Sequence, residues 1–152
     1  MSDLSFEECL KKGEEGEKYI AENVYKLGFK ILIVGGRQLF EITGNKFGVT
    51  DLLGFANGKS FWIQAKHCEP RVCYPDTGMP LGKYYGLILQ QKQSGIPVLV
   101  LFTDSTKKIY GEWLNNLHNC ESPYGGTYNS KTGQETIYWL TDKLKDYREL
   151  LK

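Results

Sequence analysis

The sequence predicts an α/β fold, one domain over residues 1–152 with a mixed central sheet flanked by helices. Three observations carry that prediction. A helical stripe opens the chain: Phe6, Leu10, Gly13, Glu17, Ile20, Val24 and Leu27 recur at alternating steps of four and three. Asn57-Gly58 then separates two apolar runs, the strongest short-range signal for a two-residue hairpin. Finally, a helical segment runs through Gly95-Ile96-Pro97 into the uninterrupted apolar run Val98–Leu101, the pattern of a strand buried on both faces. Strands that alternate with helices in this way call for a sheet covered on its faces.

The elements follow in order. Ser5 and Glu8 form a capping box that starts the first helix, and Gly28 stops it. Phe29–Val34 reads as a strand ended by Gly35-Gly36, and Leu39–Thr43 as another short one. Val49–Ala56 and Lys59–Lys66 are the hairpin strands, and His67–Pro80 is a loop. Leu81–Ser94 is a helix, Val98–Thr103 the buried strand, Lys108–Gly111 a further strand and Glu112–His118 a short helix. Glu121–Gly133 is a Gly-rich loop, Ile137–Leu140 the last strand, and Thr141–Lys152 a helix capped by Thr141.

Composition bounds the class. With 41% hydrophobic and 24% charged residues, a chain of 152 residues can bury a core without staples. No apolar run reaches the length of a membrane span, and the N-terminus shows no basic-then-apolar leader pattern, so a cytoplasmic location is expected. Net charge is only +1, yet its distribution is uneven. From Asn23 to Lys92 nine bases face four acids, while acids concentrate in the first helix and the C-terminal segment. A basic middle suits a phosphate-binding face.

The hairpin register places the chemistry. If Asn57 and Gly58 form the loop, Leu53 faces Trp62 and Asp51 faces Gln64. Because side chains alternate, Val49, Asp51, Leu53 and Phe55 share a face with Trp62, Gln64 and Lys66. An acid, an amide and a lysine side by side on such strands must pair, reach solvent or bind a metal. The plain reading is an Asp51–Lys66 salt bridge with Gln64 satisfying a neighbour. Glu17 points further, because it occupies a core position on the first helix. Gly13 and Gly16 flank it, and helix-interior glycines, each costing about 1 kcal/mol against alanine, are better tolerated where something approaches closely. Two carboxylates and a lysine make a hard-cation site with a basic helper, suited to water attack on a phosphodiester.

These residues carry a resemblance. Thr50-Asp51 … Gln64-Ala65-Lys66, with twelve residues between Asp51 and Gln64, resembles the PD-(D/E)XK nuclease signature, and with it a restriction-endonuclease-like core. Gly13-Glu14-Glu15-Gly16-Glu17, running on through Leu27-Gly28-Phe29, is similar to the opening helix of archaeal Holliday-junction resolvases. Ile63-Gln64-Ala65-Lys66 resembles Mrr-type nucleases, and the compact chain with glutamine before the lysine is similar to homing endonucleases of this fold. The resemblance covers roughly Lys12 to Thr103; Thr50 stands where the family name has proline, and Gln64 replaces the second acid. It implies a Mg²⁺-dependent DNA endonuclease, with Mn²⁺ as a substitute, that leaves 5′-phosphate and 3′-hydroxyl ends. In that reading Asp51 and the Gln64 side-chain carbonyl bind the metal, Glu17 binds it directly or through water, and Lys66 orients or deprotonates the attacking water. Cutting both strands of a duplex implies a homodimer or a higher symmetric assembly.

Other candidates sit beside these. Arg37, Lys46, His67, Arg71, Lys83 and Tyr84 are candidate DNA contacts, the bases on phosphate and the tyrosine by stacking. Each also has a bland reading as solvated charge or amphipathic filler. Cys68, Cys73, His118 and Cys120 could hold a structural Zn²⁺, against the reading as free thiols. Two rival functions remain open: a non-cleaving nucleic-acid-binding relative, favoured by Gln64, and an RNA-processing nuclease using the same site.

Overall fold

The computed structural model describes residues 6–33, 39–42, 45–48 and 52–152, with side chains over 14–32 and 52–152. Helix α1 (Phe6–Lys26) leads into β1 (Lys30–Ile33), β2 (Leu39–Ile42) and β3 (Asn45–Gly48). The hairpin β4 (Leu52–Ala56) and β5 (Lys59–His67) follows, then β6 (Asp76–Pro80), α2 (Leu81–Ser94), β7 (Val98–Thr103) and β8 (Ile109–Trp113). A 3₁₀ turn (Leu114–Cys120), β9 (Thr127–Asn129), β10 (Gln134–Leu140), β11 (Lys145–Asp146) and α3 (Tyr147–Leu150) complete the chain.

The central sheet has the order β1-β4-β5-β7-β8-β11. Only β5 and β7 run parallel within it; the other pairs are antiparallel. The hairpin turns where the sequence predicts, because Asn57 (φ 52°) and Gly58 (φ 78°) both adopt the left-handed backbone that a two-residue turn requires. Its register is the expected one, with Leu53 opposite Trp62 and Ala56 opposite Lys59.

Alternation along β5 and β7 sorts the core into two layers. Phe61, Ile63, Ala65, Leu99 and Leu101 pack with Leu52 against Ile20 and Val24 of α1. Trp62, Val98, Val100 and Phe102 face the other way, against Leu87 of α2 and against Met79 and Trp139. Those last two belong to a second sheet, β6-β10-β9. Buried apolar area of this kind contributes about 25 cal/mol per Å², so both layers are needed to hold the sheet between them.

Several expectations require correction. The segment 67–80 is not all loop: Asp76–Pro80 is a strand pairing with β10, although Asp-Thr-Gly-Met-Pro has few strand-forming residues. Its strand state comes from tertiary pairing and from Asp76, buried against Arg71, and local propensity carries neither. The Gly-rich segment contains β9, which also pairs with β10. The C-terminal helix shrinks to Tyr147–Leu150 and is capped by Asp146, whose side chain accepts from the Arg148 backbone N–H. Lys145 and Asp146 pair with β8 instead, which brings Lys145 Nζ within 3.4 Å of the buried Glu112 carboxylate. The hairpin β2–β3 adds a strand at Asn45–Gly48 that the sequence does not signal.

Candidate active site

Gln64 and Lys66 leave β5 on the α2 side of the sheet, opposite Val100 and Phe102 of β7. Gln64 is 6% exposed, and Lys66 is half-buried. The Lys66 ammonium titrates below the usual lysine range, first because burial disfavours its charge; Cys68 works against that shift, and Lys83 on α2 adds to it as a like charge. Among the described residues no carboxylate pairs with Lys66. A cation kept out of water without a counter-ion costs stability unless something supplies negative charge.

The strand end that carries Lys66 is fixed from both directions. Cys68 N–H donates to the Thr103 carbonyl at 2.9 Å, continuing the parallel ladder past His67. The Glu69 carboxylate accepts from Ser105 N–H at 2.8 Å and from Ser105 Oγ at 3.2 Å, and His67 Nε2 lies 3.5 Å from Glu69 Oε1. From below, α1 comes so close that a Cβ on Gly16 would stand 2.7 Å from the His67 Cβ. A glycine on this helix therefore does meet a close approach, from β5 itself. Glu69 and Ser105 have no motif that would have revealed this clamp.

Glu17 belongs to α1, the layer that packs on the Ile63 face of β5, whereas Gln64 and Lys66 leave β5 on the other face. Glu17 lines a hollow of about 630 Å³ with Ala21, Ile31 and Leu52, on the α1 layer. The described β4–β5 ladder ends at Leu52–Ile63, so Glu17 stands near the point where that ladder stops. Asp51 and Arg37 lie outside the described residues, and of Lys46 only the backbone in β3 is described.

The remaining candidates separate. Lys83 is brought within electrostatic reach of Lys66. Arg71 turns inward: its Nε donates to Asp76 Oδ1 at 2.7 Å, and its guanidinium lies between the Tyr74 and Tyr138 rings. Tyr84 packs edge-on against Trp139 with ring centroids 5.5 Å apart, as a partly buried member of the α2-side core. His67 faces α1 and Glu69. The zinc grouping does not form. Cys120 is buried in the core with its thiol on the Lys143 carbonyl, and Cys73 is exposed. Among the described residues no three His, Cys, Asp or Glu side chains gather as a metal site. The cysteines at 68, 73 and 120 are free thiols, and burial pushes the Cys120 thiol above its usual range.

No family model matches the sequence, and no curated protein matches it. A solved structure does match. The Holliday junction resolvase Hjc from the archaeal hyperthermophile Archaeoglobus fulgidus superimposes with a TM-score of 0.65 at 11% sequence identity, over 92% of this chain and 100% of that one. The chain thus shares its fold with this Holliday junction resolvase.

Proposed function

We propose that this protein is a metal-dependent DNA endonuclease that cuts branched or site-specific DNA, with its reaction centre at Gln64 and Lys66. One observation carries the reading: on a fold shared with a junction resolvase, a half-buried lysine without a described carboxylate partner stands two residues from a buried amide.

The donor set fits a hard divalent cation. The Gln64 amide carbonyl is an oxygen ligand of the kind Mg²⁺ accepts, and the hairpin register of the sequence assigns Asp51 to the same face. Since the described residues contain no complete acidic cluster, this reading requires Asp51, and it takes Glu17 as a further contributor from the α1 side. A bound Mg²⁺ or Mn²⁺ would lower the pKa of an attacking water and polarise the phosphoryl oxygen. Lys66, short of its full proton affinity, would orient that water, take up its proton or offset charge on the phosphoryl group. Lys83 would hold a neighbouring phosphate through its ammonium. Two such centres are needed to cut both strands, so the active species is a homodimer. No helix among the described residues is long and apolar enough to cross a membrane, and the reading places the enzyme with cytoplasmic DNA.

A second reading is favoured by the same glutamine. With an amide where the signature has an acid, the chain could bind branched DNA without cutting it. Incubation of plasmid and of a synthetic four-way junction with Mg²⁺, Mn²⁺ or EDTA separates the two. Cutting that requires metal supports the endonuclease; tight junction binding with no cutting in either metal contradicts it and selects the binding module.

A further inference from the structure

We propose that the column Tyr138–Arg71–Tyr74–Tyr124 is a stacking platform for an unpaired nucleobase of the DNA, an inference that rests on the nuclease reading and names a substrate contact for it. The Arg71 guanidinium lies 3.7 Å from the Tyr138 ring centroid and 4.6 Å from that of Tyr74. Tyr74 stacks in turn on Tyr124, with centroids 4.7 Å apart and planes inclined by 20°. Four planar groups thus follow one another, which is the arrangement that π faces and a guanidinium favour.

The column is closed at its inner end and open at its outer one. Asp76, fully buried, receives Arg71 Nε at 2.7 Å and is held by Ser122 as well. Arg71 also donates to the Gly125 carbonyl at 3.1 Å, and the Tyr124 N–H donates to Ser122 Oγ at 3.3 Å. Tyr138 is tied by its hydroxyl to Thr127 at 3.1 Å. Against that fixed base, Tyr74 remains 40% exposed and Tyr124 50%. Here an aromatic surface is held rigid at no further conformational cost while half of Tyr124 stays in water.

Charge and position select the occupant. The Arg71 charge is matched by Asp76, so the column offers flat π surface, which suits a base better than a phosphate. The Gly125–Gly126 backbone beyond Tyr124 shares a hollow of about 340 Å³ with Leu81, the first residue of α2. Through Leu87, α2 packs on the Trp62 face of β5, the face that carries Gln64 and Lys66. Platform and proposed reaction centre therefore lie along the same side of the sheet. Bases in an intact duplex have no free face to stack, so the platform recognises DNA whose bases are already unpaired, as at a branch point or a flap.

The test is binding in EDTA, where cleavage plays no part, to a duplex and to a matched branched DNA with 2-aminopurine unpaired at the branch. Tyr124→Ala is expected to weaken branched-DNA binding by about 5- to 150-fold, the worth of one base–aromatic stack, and to abolish 2-aminopurine quenching. Duplex affinity should be unchanged, and Tyr124→Phe should behave as wild type. Equal affinity of wild type and Tyr124→Ala for the branched DNA overturns the platform, as does an equal loss on both DNAs. Failure of the nuclease reading shows separately, as absence of metal-dependent cutting of the same branched DNA by wild type.

Discussion

Two cations leave the same face of the molecule within five residues of each other, and they are treated in opposite ways. Arg71 is met by a bidentate carboxylate, two aromatic rings and a backbone carbonyl. Lys66 is half-buried within reach of the charge on another lysine, Lys83, with no described carboxylate to meet it. The first arrangement is what a fold does with a charge it uses for structure. The second is a cost that the described groups do not offset, and it is there that we propose the chemistry. Buried charge by itself is therefore a poor guide to function in this protein; the absence of compensation among the described groups is the better one.

The sharpest way to break this comparison is to remove one member of each pair. Lys66→Met should lower cleavage by about 100- to 10,000-fold, the range for loss of a proton-transfer group. It should leave thermal stability unchanged or raised, because a buried charge is exchanged for an apolar chain of similar length. The sign follows from linkage. A lysine whose pKa is lowered in the folded state costs stability at neutral pH, and that cost is relieved only as pH rises through the lowered value. Asp76→Ala should do the reverse, costing about 3–5 kcal/mol in denaturant unfolding, because it strands Arg71 and releases β6. Arg71, through its hydrogen bonds, holds the Asp76 carboxyl below the usual carboxylate range. Its contribution to stability is thus complete above that ordinary range and lost as pH falls through the lowered folded value. If Lys66→Met destabilised the protein as much as Asp76→Ala, the contrast between the two cations would fail.

Smaller effects sharpen the same picture. Gly16→Ala should cost about 1–3 kcal/mol in thermal or denaturant unfolding, since its Cβ would collide with that of His67 and push α1 off β5. Lys83→Met removes a positive neighbour from Lys66, so the Lys66 limb of the pH–rate profile should move to higher pH. An unmoved limb would assign that titration to another group.

Much of this was legible in the chain, and most of what was not depends on partners far along it. The β4–β5 register, the α2 boundaries and the buried β7 follow from local signals: a turn dipeptide, helical periodicity and an unbroken apolar run. The α1 stripe placed Ile20 and Val24 correctly in the core. Strands β6 and β11 escaped because they pair with strands far along the chain, β10 and β8, which no periodicity encodes, and β9 because its local pairing with β10 lies in a Gly-rich, exposed stretch that reads as loop. At the site, alternation correctly put Gln64 and Lys66 on one face, but it says nothing of layers. The sequence could not show that α1, with Glu17, and α2, with Lys83, cover different faces of the sheet, nor that the charge of Lys83 reaches Lys66. Arg71 looked like a phosphate contact because its type and loop setting are the same whether it faces outward or into a buried aspartate.

Whether β5 carries the reaction centre is decided by cleavage of a four-way junction and of supercoiled plasmid in Mg²⁺ by wild type, Asp51→Ala and Lys66→Ala in parallel. Wild type is expected to cut, and both variants to lose cutting while still binding the junction in EDTA. Equal cutting by wild type and Lys66→Ala would contradict this, and the reaction centre would have to be sought away from β5.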